Sequence, residues 1–148
     1  MEQLILHLVG DYLLQSHWTA TQKTSKTIAC LSHVILYTLP FLLITSSVPA
    51  LLVIGGTHFV IDRWRLAKYL VYAKQFIATK SETVELIQDV HNSYAPEGYE
   101  DVKPMYKWEN CKETGYPSET PSWLSFWLLI IADNTLHLIC NFLALTFL

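Results

Sequence analysis

Residues 27–46 read TIACLSHVILYTLPFLLITS, and the reading of this stretch decides the fold. It carries no Asp, Glu, Lys or Arg, and the imidazole of His33 is its ionisable group of interest. Outward from it, Asp, Glu, Lys and Arg are absent from Ala29 to Ile61, and from Pro121 to Leu148 Asp133 alone interrupts a second such run. Helices of a soluble bundle normally keep a polar face, and neither run offers a charged one. Both read as membrane spans, since crossing a bilayer takes about 20 predominantly apolar residues.

Two weaker segments extend this to an all-α protein, a four-helix transmembrane bundle with helices over about 3–20, 27–46, 49–67 and 121–147. The first is interrupted by His7, Asp11, Gln15 and His17, and Pro40 marks a kink in the second. The chain has 148 residues, one domain's worth, of which 51% are hydrophobic and 16% charged. Typical soluble domains carry about 25% charged residues. A net charge of -3 gives no reason to expect a nucleic-acid partner. Cys30, Cys111 and Cys140 fit neither a disulfide framework nor a thiolate zinc cluster. The opening MEQ lacks the basic start of a secretory signal.

Lys23 and Lys26 lie between the first two segments, and Arg63, Arg65, Lys68, Lys74 and Lys80 follow the third, whereas the intervening TSSVPA is uncharged. The positive-inside rule places both basic loops in the cytoplasm. The expectation is a bacterial inner-membrane protein with both termini on the non-cytoplasmic side. Residues 68–120 form a cytoplasmic insertion: an amphipathic helix, a second short helix, then a turn-rich loop over 92–120. Tyr106 and Trp108 are expected to cover the entrance to the bundle.

An ionisable residue inside a membrane is a functional-site hypothesis by default. His7/Asp11 and His58/Asp62 are four apart, as are Asp133/His137 in reversed order, so each pair shares a helix face. Counted at about 1.5 Å per residue from the assumed cytoplasmic ends, Asp11, His33, His58, Asp62 and Asp133 occupy one slab about 8–17 Å deep. His7 and His137 come out near 20 Å or beyond, in an outer layer, by the same ~1.5 Å count. Imidazole and carboxylate are ordinary ligands of Zn²⁺, Mn²⁺ or Fe²⁺. His7, Asp11, His33, His58, Asp62, Asp133 and His137 are therefore the expected metal ligands, around one ion or around two bridged by Asp. Gln15, Asn134 and Lys23 are expected at the second shell or the substrate, with zinc the first choice of metal.

HLVGDYLLQSHWTATQK (7–23) resembles the N-terminal signature of a family of small uncharacterised membrane proteins from phages and bacteria. That signature is His-x3-Asp-x3-Gln, then an aromatic residue and a Lys, matched here by His7, Asp11, Gln15, Trp18 and Lys23. The layout is more remotely similar to membrane-bound metal-dependent hydrolases. Together these readings imply a hydrolase that cleaves a lipid or phosphoester with metal-activated water, Asp11 or Asp133 serving as general base. Proton or ion translocation is the first alternative, and at this size it calls for a homodimer. A phage-type effector that binds a host membrane protein around a structural metal is the second.

Overall fold

A computed structural model of the chain describes residues 1–75, 77, 107–118 and 120–148. It divides into two units, one of Met1–Ala67 with Ile131–Leu148 and one of Lys68–Ile130.

In the first unit, α1 (Glu2–Leu8) runs into a wide π-turn, Val9–Leu13. The turn is closed by Leu14 N donating to Val9 O at 3.0 Å, five residues back. Gly10 lets this turn press on the next long helix. A Cβ there would lie 2.7 Å from the Tyr37 ring and 3.0 Å from its Cα. Ser16 then caps α2 (His17–Gln22), its Oγ accepting from Thr19 N at 3.2 Å. Helix α3 (Thr27–Thr38) tightens at Pro40 into a 3₁₀ turn, Leu39–Leu43. Helix α4 (Val48–Trp64) starts at the Ser47 cap and stops at Arg65, whose φ of 50° is left-handed. Arg63 ties the end of α4 to the backbone carbonyls of Thr24 and Ser25. Helix α7 (Ser122–Phe147) contributes its residues from Ile131 onward to this unit.

Three helices carry the same pattern, one residue every four, and each runs from apolar to polar. On α3 and its extension the row is Phe41, Tyr37, His33; on α4 it is Ile54, His58, Asp62; on α7 it is Leu145, Asn141, His137, Asp133. Residues spaced by four lie over one another on a helix. One end of the unit is therefore an apolar cluster of Leu6, Tyr37, Phe41, Ile54 and Ala144. The other end is a buried set of imidazoles and carboxylates. The outside of the same helices is apolar: Leu31, Ile35, Leu43, Leu52, Ile131 and Phe142 are all exposed.

The four-helix transmembrane bundle expected from the sequence is overturned. Among the described residues, Ser122–Phe147 alone is long and apolar enough to cross a membrane. Its 26 residues extend about 39 Å at the usual rise. The expected first span is broken by the π-turn and the Ser16 cap. The second stops being α-helical after 12 residues because Pro40 cannot donate to the helix ladder. The third is ended after 17 residues by the reversal at Arg65. Mean apolarity was legible in these segments, but helical continuity was not.

A helical stretch α5 covers 66–75, its residues from Lys68 onward belonging to the second unit, where α6 is the single turn Trp108–Cys111. Trp108 stacks on Tyr69 with ring centroids 5.1 Å apart and meets Tyr72 edge-on. Gly115, at φ +84°, packs against the Lys68 carbonyl and Val71, where a side chain would collide. The short second helix, most of the 92–120 loop and Tyr106 lie outside the described residues.

Candidate metal centre

Each element delivers its ionisable side chain to the polar end for a local reason. The π-turn places Asp11 beside α3 because Gly10 permits close backbone approach. α3 and α4 contribute His33 and His58, and Asp62 follows one turn after His58. All four are buried, and one donor atom from each lies within 4.8 Å of the others.

The separations are informative. His33 Nε2 and His58 Nε2 are 3.0 Å apart. His33 Nε2 is 3.1 Å from Asp11 Oδ1 and 3.3 Å from Asp62 Oδ2. His58 Nε2 is 3.4 Å from Asp11 Oδ1 and 3.1 Å from Asp62 Oδ2. These are five edges of a small tetrahedron. An ion with bonds of about 2.0–2.1 Å to four tetrahedral donors separates those donors by about 3.3–3.4 Å. The set is thus a buried His/Asp cluster compatible with a divalent metal. Proton chemistry alone fits it less well, because two Nε2 atoms facing one point cannot both carry a proton toward it. The Nδ1 atoms of His33 and His58 have no hydrogen-bond partner within the protein.

A second group shares one residue with the first: Asp62, Asp133 and His137. His137 Nε2 is 3.5 Å from Asp62 Oδ1 and 3.6 Å from Asp133 Oδ2. The rings of Tyr37, His58 and His137 form a stack, with centroids 3.6 Å and 4.0 Å apart, which fixes the planes of both imidazoles. His137 is closer to the slab than a count along the helix axis implies, since such a count ignores how far a side chain reaches.

His7 stands beside both groups and belongs to neither. Its Nδ1 accepts from the Tyr37 hydroxyl at 2.8 Å, and its Nε2 donates to Asn134 Oδ1 at 2.8 Å. Asn141 Nδ2 donates to the same Tyr37 oxygen at 2.6 Å, and Asn134 Nδ2 donates to the Tyr12 hydroxyl at 2.8 Å. Burial lowers the His7 pKa, and the ring is held neutral between these partners.

Lys23 is the cation at the centre. Its Nζ is 2.9 Å from Asp62 Oδ2. Burial alone would lower its pKa, but the charges of Asp62 and Asp11 outweigh that and raise it. The Asp11 carboxyl shows the same competition. Burial raises it, and the neighbouring His33 and His58 imidazoles outweigh that, holding it well below the usual carboxylate range. With its amide oriented to satisfy both groups, Gln15 donates to the Asp11 backbone carbonyl at 2.9 Å and accepts from Lys23 Nζ at 3.1 Å. Gln15 and Lys23 thus touch residues of the cluster, Asn134 reaches it only through His7, and His17 is exposed.

Asp11, Gln15, Lys23, His33 and His58, all from the N-terminal half, thus meet at one centre. The chain belongs to the DUF3307 family. The DUF3307 model, described as a protein of unknown function, matches residues 1–88. The match takes in Asp11, His33, His58 and Asp62 and stops short of Asp133 and His137. No curated protein and no solved structure matches the chain.

Two contributors to the site were missed from the sequence, Tyr37 and Gly10. Tyr37 follows His33 by four and so shares its face, and a lone Gly inside an apolar helical pattern signals close packing.

Proposed function

We propose that this DUF3307 protein is a membrane-associated, metal-dependent hydrolase whose ion is held by Asp11, His33, His58 and Asp62. The close spacing of those four donors, 3.0–3.4 Å along five edges, carries the reading. Zinc fits a four-donor tetrahedral shell, and Mn²⁺ or Fe²⁺ accepts the same ligands with further positions to spare. The two carboxylates outnumber the Lys23 ammonium, so the centre is one charge short of neutral without a cation.

A bound divalent ion supplies Lewis acidity and brings the pKa of water toward neutrality. The protein's own groups supply the rest. The Asp133 side chain is 30% exposed and the Lys23 side chain 18%, while the other members of the cluster are closed off, so this is the side from which water and substrate reach the centre. Hydrolysis forms a bond from the water oxygen to phosphorus or carbonyl carbon and breaks the bond to the leaving oxygen. Asp133 takes the proton of the attacking water, and the Lys23 ammonium offsets negative charge as it develops and protonates the leaving oxygen. Asp11, buried and engaged by two imidazoles, serves the ion and not the proton.

Two further observations favour a lipidic setting and substrate. α7 is a candidate membrane span, and the outer surface of the first unit is apolar. A groove of about 530 Å³ between α3 and α4, lined by Leu31, Val34, Ile35, Leu52 and Phe59, has the dimensions and polarity of an acyl-chain site.

The test is metal analysis of the detergent-purified chain by mass spectrometry, together with Asp11→Ala and His58→Ala. Phosphoester and lipid-ester hydrolysis are then assayed with and without added metal. The reading expects at least about one equivalent of metal in the parent, its loss in both variants and metal-dependent turnover. A folded parent chain that takes up no metal overturns it. Metal retained without turnover on any ester leaves the ion a structural role.

A further inference from the structure

The four-donor centre leaves a buried imidazole without a partner. His137 is 1% exposed, and its Nε2 has no hydrogen-bond partner although two carboxylate oxygens face it. Those oxygens, Asp62 Oδ1 at 3.5 Å and Asp133 Oδ2 at 3.6 Å, stand beyond the ~3.2 Å limit of an ordinary N–H···O bond. They match the separation of donors around a shared ion with bonds of about 2.1–2.2 Å. Asp62 meanwhile turns Oδ2 toward His33 and His58 and Oδ1 toward His137. One carboxylate thus faces two donor clusters with different oxygens, the posture of a bridging ligand.

We infer that Asp62, Asp133 and His137 form a second divalent-cation site that shares Asp62 with the first, making a dinuclear centre for an anionic phosphoester. The inference rests on the metal reading above and deepens it. The two sites differ in kind. Four protein donors fill a tetrahedral shell at the first, where water enters only if that shell expands; three leave positions open at the second, as catalysis requires. The open site also includes Asp133, the accessible member of the cluster. Asp133 ligating through one oxygen keeps the other for the water proton.

The charges agree. Asp11, Asp62 and Asp133 against Lys23 leave two negative charges, which one divalent ion neutralises. A second ion leaves the centre doubly positive, and a phosphoryl dianion restores neutrality. Two ions about 3.5–4 Å apart are also the arrangement that clamps the attacking and leaving oxygens of a phosphoryl transfer.

The test loads the full chain in detergent with Mn²⁺ or Zn²⁺ alone and reads stoichiometry by mass spectrometry. About two equivalents are expected in the parent and about one in Asp133→Asn and in His137→Gln. Partners outside the ligand shell are worth about 10–100-fold in metal affinity, so losing a ligand is expected to weaken the second equivalent by at least about 100-fold. Asp133→Asn, at a partly exposed position, guards against misfolding, which circular dichroism checks. With Mn²⁺, electron paramagnetic resonance is expected to show spin coupling in the parent and isolated-ion hyperfine structure in both variants. One equivalent in the parent, unchanged by Asp133→Asn and magnetically isolated, overturns the second site and leaves the first standing. No equivalent at all overturns both.

Discussion

The two ends of the first unit are built from the same helices in opposite chemistry. At one end Phe41, Ile54 and Ala144 pack as an ordinary apolar core. At the other, one or two turns along the same rows, His33, His58, Asp62 and His137 are equally buried. The apolar end is cohesive by itself, because removing its surface from water stabilises it. The polar end gathers like-charged carboxylates and facing lone pairs, which lose their solvation on burial and need a charge to recover it. One end holds the fold and the other is held by it.

Substitutions can break that comparison, and the largest effect belongs to the apolar end. Phe41→Ala removes a fully buried ring and is expected to cost about 3–5 kcal/mol. Denaturant unfolding in detergent measures this, and the folded fraction is expected to keep its metal. Next comes withdrawal of the ion. A metal present at about 1,000 times its Kd stabilises by about 4 kcal/mol. Chelation is therefore expected to lower Tm further in the parent than in Asp11→Ala, which lacks a ligand of the four-donor ion; equal shifts in both would erase the distinction between the ends.

Gly10→Ala falls between the ends, where its Cβ would meet Tyr37 at 2.7 Å. Overpacking of this kind costs about 1–3 kcal/mol. Because the same turn carries Asp11, titration of metal into this variant is expected to show weaker uptake as well as lower stability. The smallest and sharpest pair is Ser16→Ala and Ser47→Ala. Each removes an N-cap worth about 1 kcal/mol. Ser16 caps the helix that leads to Lys23, whereas Ser47 caps α4 far from the polar rows. Equal losses of Tm are expected, with altered hydrolysis in Ser16→Ala alone.

The polar end was the more legible one in the sequence. His58/Asp62 and Asp133/His137 announced their shared faces by spacing, and the lack of Lys or Arg within these runs pointed to a cation from outside the chain. Lys23 was legible as a neighbour only through its place in the HLVGDYLLQSHWTATQK pattern. The fold was harder to read. Apolar content at 27–46 and 49–67 says what surrounds a helix and not how far the helix continues. Pro40, Ser47 and the Arg65 reversal set the lengths, and a left-handed Arg leaves no compositional trace. The π-turn was equally silent, since its hydrogen bond differs from that of an α-helix by one residue and its side chains do not.

That one-residue difference has a consequence of its own. A π-turn is in effect a single-residue insertion accommodated within a helix, and such turns recur at functional sites. Between His7 and Gln15 the chain therefore keeps a count as well as a composition. Deleting one residue here would relax the backbone into a regular helix while sparing every metal-binding side chain. It would also turn Asp11 away from His33, disabling the centre by a change of phase with no change of chemistry.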